Sequence, residues 1–512
     1  MAKTTKKIVL DGESLRISDV CEVVYNGVQI ELSKQSLKKI SKSREFVENI
    51  VRNEDVVYGI STGFGEFSSV HIKKADAALL QKNLIMSHAA GCGDFYEPRF
   101  VKSAMLLRAN ALSKGYSGIT LGTLDTLVKM INADIIPEVP EHGSVGSSGD
   151  LAPLAHIVLG MMGIGKVNYQ GKLVNATDAL KKAGIKKAEL SYKEGLALIN
   201  GTQMMTGVGA LLVARAFELY KIANVTAALS VDALMGTPVA FSPLISRVRP
   251  HKGQMLTAKY MTKLLNGSEI VKSHDECGEV QDAYSLRCIP QVHGSVYDTI
   301  NYVASVIETE MNSATDNPLI FVDENEVISG GNFHGEPVAL VMDFLGIAVS
   351  ELASIAERRI DRLVNPNANN KKLPAFLVKN GGLNSGFMIA QYAAASIVSE
   401  NKVLAHPASV DSIPTSAGKE DFNSMGSISA RKCIRIVKNL ENVLSIELLA
   451  ACQGIDFRKP VKTSKPLQKV HAHVRKHIKF MEIDGVMADD MKASVDIIRD
   501  PKFNALIGEV CC

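Results

Sequence analysis

The chain has no Cys-x-x-Cys pair. Its eight cysteines are scattered, and only Cys511 and Cys512 are adjacent. Such usage is what a reducing compartment permits, so a cytoplasmic location is expected. There is no sustained Lys/Arg block with interleaved aromatics, and a formal net charge of +3 is spread over the whole length. Neither nucleic acid nor an anionic membrane is therefore expected as a partner. No apolar stretch approaches the ~18 charge-free residues of a membrane span. The opening MAKTTKKIVLDGESLRI has lysines but no apolar core before Asp11, so it does not read as a secretory signal. Internal repeats and low-complexity linkers are also missing.

What is present is ordinary for a soluble globular protein: 46% hydrophobic and 22% charged residues over 512 positions. That length exceeds one small domain and can bury a large core. Leu345, Val349, Leu352, Ile355, Ala356 and Leu363 recur at the spacing of one helix face, and Asn365-Pro366 stops the run. Cys433, Ile436, Val437, Leu440, Val443, Leu444, Leu448 and Ala451 repeat the pattern up to Gly454. Met105 to Leu112 and Leu121 to Ile131 also read as helices; Lys7 to Leu10 and Leu319 to Val322 read as strands. The expected class is mainly α, with a C-terminal bundle of long helices. Before residue 205 glycine-rich loops interrupt short helices, and after it helices lengthen. This suggests an N-terminal domain over 1–205 and a central and C-terminal helical domain over 206–512.

Residues 143–156 read GSVGSSGDLAPLAH. A loop of small residues enters a helix, with Asp150 at the N-cap position and Pro153 in the first turn. One reading is an anion-binding turn at a helix N-terminus. A serine-hydrolase elbow requires G-x-S-x-G, which Gly146-Ser147-Ser148-Gly149 does not satisfy. No G-x-G-x-x-G or Walker sequence follows a strand. The segment resembles the Ala-Ser-Gly loop of the aromatic amino acid ammonia-lyase family, with Ser147 where the family has alanine. In that family the backbone closes into 4-methylidene-imidazol-5-one (MIO). The third residue's amide nitrogen attacks the first residue's carbonyl carbon, and two waters are lost, the second carrying away the serine hydroxyl. Glycine suits the attacking position because it has no Cβ to block the approach. The resemblance thus implies an MIO formed from Ser147, Ser148 and Gly149, with no metal or nucleotide.

Such a group answers a chemical difficulty. Ammonia must leave Cα while a weakly acidic proton leaves Cβ, and covalent capture of the amine improves the leaving group. A base, a carboxylate clamp and hydrogen-bond donors are still required. The resemblance supplies candidates. Tyr58 opens YGISTGFG, similar to the family's mobile tyrosine loop apart from Ser61 in place of asparagine, and is the implied base. QDAYSLRCIP (281–290) matches closely: Arg287 would clamp the substrate carboxylate through its planar fork, Tyr284 would sit near the MIO, and Gln281 would extend the same face if the segment is helical. Asn200 in LALINGTQ resembles the asparagine supporting the ring oxygen, and Phe333 in GGNFHGEP the aromatic of the pocket. EMNSATDNPLIF (310–321) and ACQGIDFR (451–458) match as well.

Two positions bear on the substrate. Ser87-His88 stands where histidine-specific members carry Ser-His, and Glu420 where they carry glutamate; a carboxylate suits an imidazole N–H and is costly beside a phenyl ring. Nearby, Lys419 replaces a usual glutamine and Phe422 a usual histidine. The implied reaction is deamination of L-histidine to trans-urocanate and ammonia. A tyrosine or phenylalanine lyase, a 2,3-aminomutase, or a non-catalytic helical assembly with an uncyclised loop are the alternatives. The implied fold is the ammonia-lyase fold related to the fumarase and aspartase bundle, as a homotetramer with shared active sites. His471, His473 and His477 have a ligand-like spacing, but their basic neighbours suggest a solvated face and no metal.

Overall fold

A computed structural model describes residues 7–57, 59, 60, 62, 76–274 and 280–511. Tyr58 and most of its glycine loop lie outside the described residues. Twenty α-helices and nine short strands are found among those described, so the mainly α expectation holds. The chain forms two compact units. The first comprises 1–214, 303–343 and 407–431; the second comprises 215–302, 344–406 and 432–512. A single cut near residue 205 does not describe this division, because the later chain re-enters the first unit twice. Helical periodicity carries no signal of such re-entry, since Gln203–Ala233, Ile289–Met311, Glu336–Val364 and Gly426–Asp456 are each unbroken helices with residues in both units.

All the strands belong to the first unit. Ile8–Leu10 pairs in parallel with Ile30–Leu32, and Leu319–Phe321 pairs antiparallel with Glu326–Ile328. Both strands expected from the sequence are therefore present. Pro98–Ser113 is buried at every position from Phe100 onward. A helix so enclosed has no solvent side on which to place a charge, yet it carries Arg108, whose exposure is 2%. Thr120 caps Leu121–Asn132 by accepting from the Thr123 amide, as helix N-termini require.

The second unit is the helical one. Every residue of the two apolar faces read from the sequence, from Leu345 to Leu363 and from Cys433 to Ala451, is buried. Glu336–Val364 is long and apolar enough to cross a membrane by length and composition, but most of its apolar window is buried within the protein. A fully buried polar cluster interrupts this core. Arg359 donates from Nε and Nη2 to the two oxygens of Glu447 at 2.5 and 3.0 Å. Thr226 and Ser230 donate to the same carboxylate at 2.9 and 2.8 Å.

The expected solvated basic face on Lys465–His477 is not what forms. His471 Nε2 lies 3.2 Å and Arg475 Nε 2.7 Å from Asp456 Oδ2, on the preceding long helix. Burial alone would raise the Asp456 pKa, but hydrogen bonds from His471 and Lys459 and the Arg475 charge hold it well below the usual carboxylate range. The acidic partner was invisible in local sequence because it lies on another helix. His473 instead packs with its ring tilted against His477 and Phe503.

Truncating Glu447 to alanine would strand the Arg359 guanidinium in the core. The expected cost is about 3–5 kcal/mol, read as a lowered urea midpoint; an unchanged midpoint would mean that the pair carries no net stability.

Candidate functional site

The first unit gathers the Ser-Ser-Gly loop, Asn200 and Glu420. The loop's course depends on glycine: Gly146 and Gly149 have φ of 70° and 74°. A Cβ at position 149 would lie 2.2 Å from the Gly201 carbonyl oxygen, so the two backbones meet where no side chain fits. Gly149 and Gly201 form an isolated parallel bridge, and the Asp150 amide donates to the Gly201 carbonyl at 2.7 Å.

Asp150 occupies the N-cap position of Leu151–Met161, but its side chain does not cap that helix. Its carboxylate turns inward. One oxygen accepts from the Met205 amide at 2.9 Å and the other from the Ser427 hydroxyl at 2.8 Å. Ser427 Oγ also lies 2.7 Å from Ser144 Oγ, and Ser144 Oγ is 3.1 Å from the Gly149 carbonyl oxygen. Burial pushes the Asp150 pKa up to about 6, against the hydrogen bonds from Met205, Ser427 and Ser144.

Asn200 follows the short Glu194–Ile199 helix, and its Nδ2 donates to the Ser148 carbonyl at 3.0 Å. Its own carbonyl accepts from Arg108 Nη1 at 2.8 Å; the same Nη1 donates to Gln203 at 2.8 Å, and Nη2 donates to the Ala197 carbonyl. Arg108 thus closes the C-terminal carbonyls of one helix and fixes the start of the next. No motif in the sequence points to it, although a lone arginine inside the apolar run MLLRANAL is itself a sign of a buried cation that must find acceptors.

Glu420 reaches the loop from the 407–431 segment. Its Oε2 accepts from Ser147 Oγ at 2.6 Å and its Oε1 from Ser148 Oγ at 2.9 Å. Thr415 Oγ1 also donates to Oε2, at 3.0 Å, and the two residues pair through their backbones. The segment is tied to the loop by Met425 N to the Val145 carbonyl at 2.8 Å and Ser424 Oγ to the Gly146 carbonyl at 2.9 Å.

His88 ends the Ala77–His88 helix, half-buried, with Ser87 Oγ 3.1 Å from its Nδ1. Burial lowers its pKa, while the Leu84 carbonyl and the Glu420 charge act in the opposite direction. Phe333 is half-buried in a turn that Gly335 N ties to the Gly146 carbonyl. Phe422 is largely exposed and stacks on His334, with ring centroids 6.1 Å apart.

Gln281, Tyr284 and Arg287 belong to the second unit, where they line a cavity of about 540 Å³ together with Arg362 and Lys372. The guanidinium of Arg287 sits 4.5 Å from the centre of the Tyr284 ring, a cation–π contact within the Tyr284–Arg287 helix. Gln281 precedes that one-turn helix, so it does not extend its face as expected. Among the described residues no group of three His, Cys, Asp or Glu side chains is placed to hold a metal.

The chain belongs to the aromatic amino acid lyases: the family's model matches residues 15–476. Its sequence is 53% identical to histidine ammonia-lyase of Caldanaerobacter subterraneus subsp. tengcongensis over 504 residues, covering 98% of this chain and 99% of the relative. The crystal structure of histidine ammonia-lyase from Trypanosoma cruzi superposes with a TM-score of 0.91 at 44% identity, covering 99% of this chain and 96% of that one. The tyrosine aminomutase of Streptomyces globisporus superposes with a TM-score of 0.93 at 37% identity, covering 98% and 99%. The fold is accordingly the ammonia-lyase fold.

The raised Asp150 pKa has a definite sign. The folded carboxyl binds its proton more tightly than an unfolded one near 3.8, so its stabilising contribution is full below pH 3.8 and is lost as pH rises through about 6. Over that window the urea midpoint of the native protein should fall relative to that of Asp150→Asn; parallel curves would show that the carboxyl does not titrate there.

Proposed function

We propose that the protein is a carbon–nitrogen lyase that converts L-histidine to trans-urocanate and ammonia, using an MIO formed from Ser147, Ser148 and Gly149. The observation that carries this reading is the Glu420 carboxylate on the Ser-Ser-Gly turn, within the electrostatic reach of His88. The histidine ammonia-lyases similar over nearly its full length support the same substrate.

The residues fit the ring. Gly149 packs against Gly201 where no Cβ would fit, as the glycine of the ring-forming turn requires, and Asn200 Nδ2 already donates to the Ser148 carbonyl oxygen. Once formed, the group supplies an electrophile for the substrate amine, which makes ammonia a better leaving group. Asn200 holds the oxygen of residue 148 and stabilises negative charge there. Glu420 accepts from an imidazole N–H, and His88 offers the ring a second hydrogen-bonding partner. Arg287 clamps the substrate carboxylate, with Tyr284 and Gln281 beside it, while Phe333 packs against the substrate. Tyr58 removes the Cβ proton. A phenyl substrate would leave Glu420 and His88 unpaired, at about 1–3 kcal/mol each.

We infer a homotetramer whose active sites are shared between protomers. Large apolar side chains left exposed on Met388–Leu404, namely Ile389, Tyr392 and Val403, support an assembly that covers them. Free thiols at Cys92, Cys288 and Cys452 suit a cytoplasmic enzyme.

Incubation with L-histidine should produce urocanate absorbance and equimolar ammonia, and the denatured chain should weigh two waters less than its translated mass. Ser148→Ala should fold but lose nearly all turnover, since no hydroxyl remains to leave; a wild-type rate in that variant would refute the cofactor. A β-amino product would identify an aminomutase instead. Arg287→Lys should raise KM about tenfold or more, because a point charge cannot replace a two-pronged clamp. Co-expressed Ser148→Ala and Arg287→Lys chains should recover activity above either alone if sites are shared; no recovery would count against sharing.

A further inference from the structure

Ser147 is where this chain departs from the alanine of the Ala-Ser-Gly loop, and its hydroxyl has a specific engagement. It donates to Glu420 Oε2 at 2.6 Å, while Ser148 donates to Oε1 at 2.9 Å. Thr415 Oγ1 supplies a second donor to Oε2 at 3.0 Å. Ser147 is 8% exposed, so little water can replace its hydrogen bond. In the uncyclised chain, both oxygens of Glu420 are therefore occupied by the loop.

The two serines have different fates on cyclisation. Closure uses the Ser147 carbonyl carbon and the Gly149 nitrogen, with loss of one water. The second dehydration removes the Ser148 hydroxyl together with its Cα hydrogen, forming the exocyclic double bond and a second water. Nothing in either step consumes the Ser147 side chain. Resting on the function proposed above, we infer that Ser147 is a positioning residue for Glu420. Its hydroxyl keeps Oε2 held, with Thr415, while departure of the Ser148 hydroxyl releases Oε1. One oxygen stays anchored and the other becomes available to an imidazole N–H.

A carboxylate held at a single oxygen presents the other in a defined direction, with less rotational freedom to lose on binding. Loss of the Ser147 hydroxyl would leave Thr415 as the one side-chain donor on Oε2 among the described residues. The consequence falls on reading of the substrate ring rather than on formation of the cofactor, because alanine at this position is the family's own choice.

The test compares native protein, Ser147→Ala and Ser147→Thr by intact mass and by kcat/KM for L-histidine and L-phenylalanine. Ser147→Ala should still lose two waters relative to its own translated mass. Its kcat/KM for histidine should fall about tenfold, as expected when a charged group loses a hydrogen bond, with phenylalanine turnover little changed. Ser147→Thr, which retains a hydroxyl, should recover most of the loss. Equal histidine kinetics in native and Ser147→Ala proteins, within about twofold, would overturn the inference while leaving the lyase reading intact. So would a Ser147→Ala chain that keeps its two waters, since the hydroxyl would then serve ring closure. Native protein that does not turn over histidine would instead defeat the proposed function.

Discussion

A buried carboxylate must find donors or give up its charge, and the site in the first unit is arranged around that demand at Asp150. Its oxygens take the Met205 amide and the Ser427 hydroxyl, and Ser427 in turn engages Ser144. Three stretches far apart in sequence are thereby joined: the Ser-Ser-Gly loop, the start of Gln203–Ala233 and the start of Gly426–Asp456. Capping its own helix would have used the carboxylate locally and left those stretches without a common tie. Burial that raises the carboxyl pKa also strengthens each hydrogen bond it makes, because the surroundings are poor in competing water.

The same economy governs Arg108. A guanidinium with no solvent exposure to speak of closes the carbonyl ends of Glu194–Ile199 and the side chain of Gln203. That fixes Asn200 and Gly201 with respect to the loop. Gly201 then offers its carbonyl to the Asp150 amide, and Asn200 its amide to Ser148. Asp150 and Arg108 hold opposite sides of one turn, so Ser148 is presented by backbone constraints and not by its own contacts alone.

The helical faces were legible because burial repeats with the helical period, and each of those positions is buried. The loop, Asn200 and Glu420 were legible through resemblance; the spacing of small residues alone favoured an anion-binding turn. Less could be read where side-chain direction or a distant partner decides. Asp150 sits at the N-cap position yet points away from it. His471 and Arg475 look solvated until Asp456, on another helix, is brought beneath them. Gln281 falls just before a helix that begins at Tyr284, so three-residue spacing did not place it on that face. The re-entry of 303–343 and 407–431 into the first unit is a matter of topology, to which local periodicity is blind.

The Arg359–Glu447 pair has a bearing on how the bundle reaches a single alignment. Apolar faces of leucine, isoleucine and valine would tolerate sliding by a turn, since one aliphatic contact replaces another at small cost. A slip of one turn displaces Glu447 by about 5.4 Å along its axis. That distance breaks every hydrogen bond in the cluster and leaves two opposite charges and two hydroxyls buried without partners. A shifted register is thus penalised electrostatically where apolar packing alone would tolerate it.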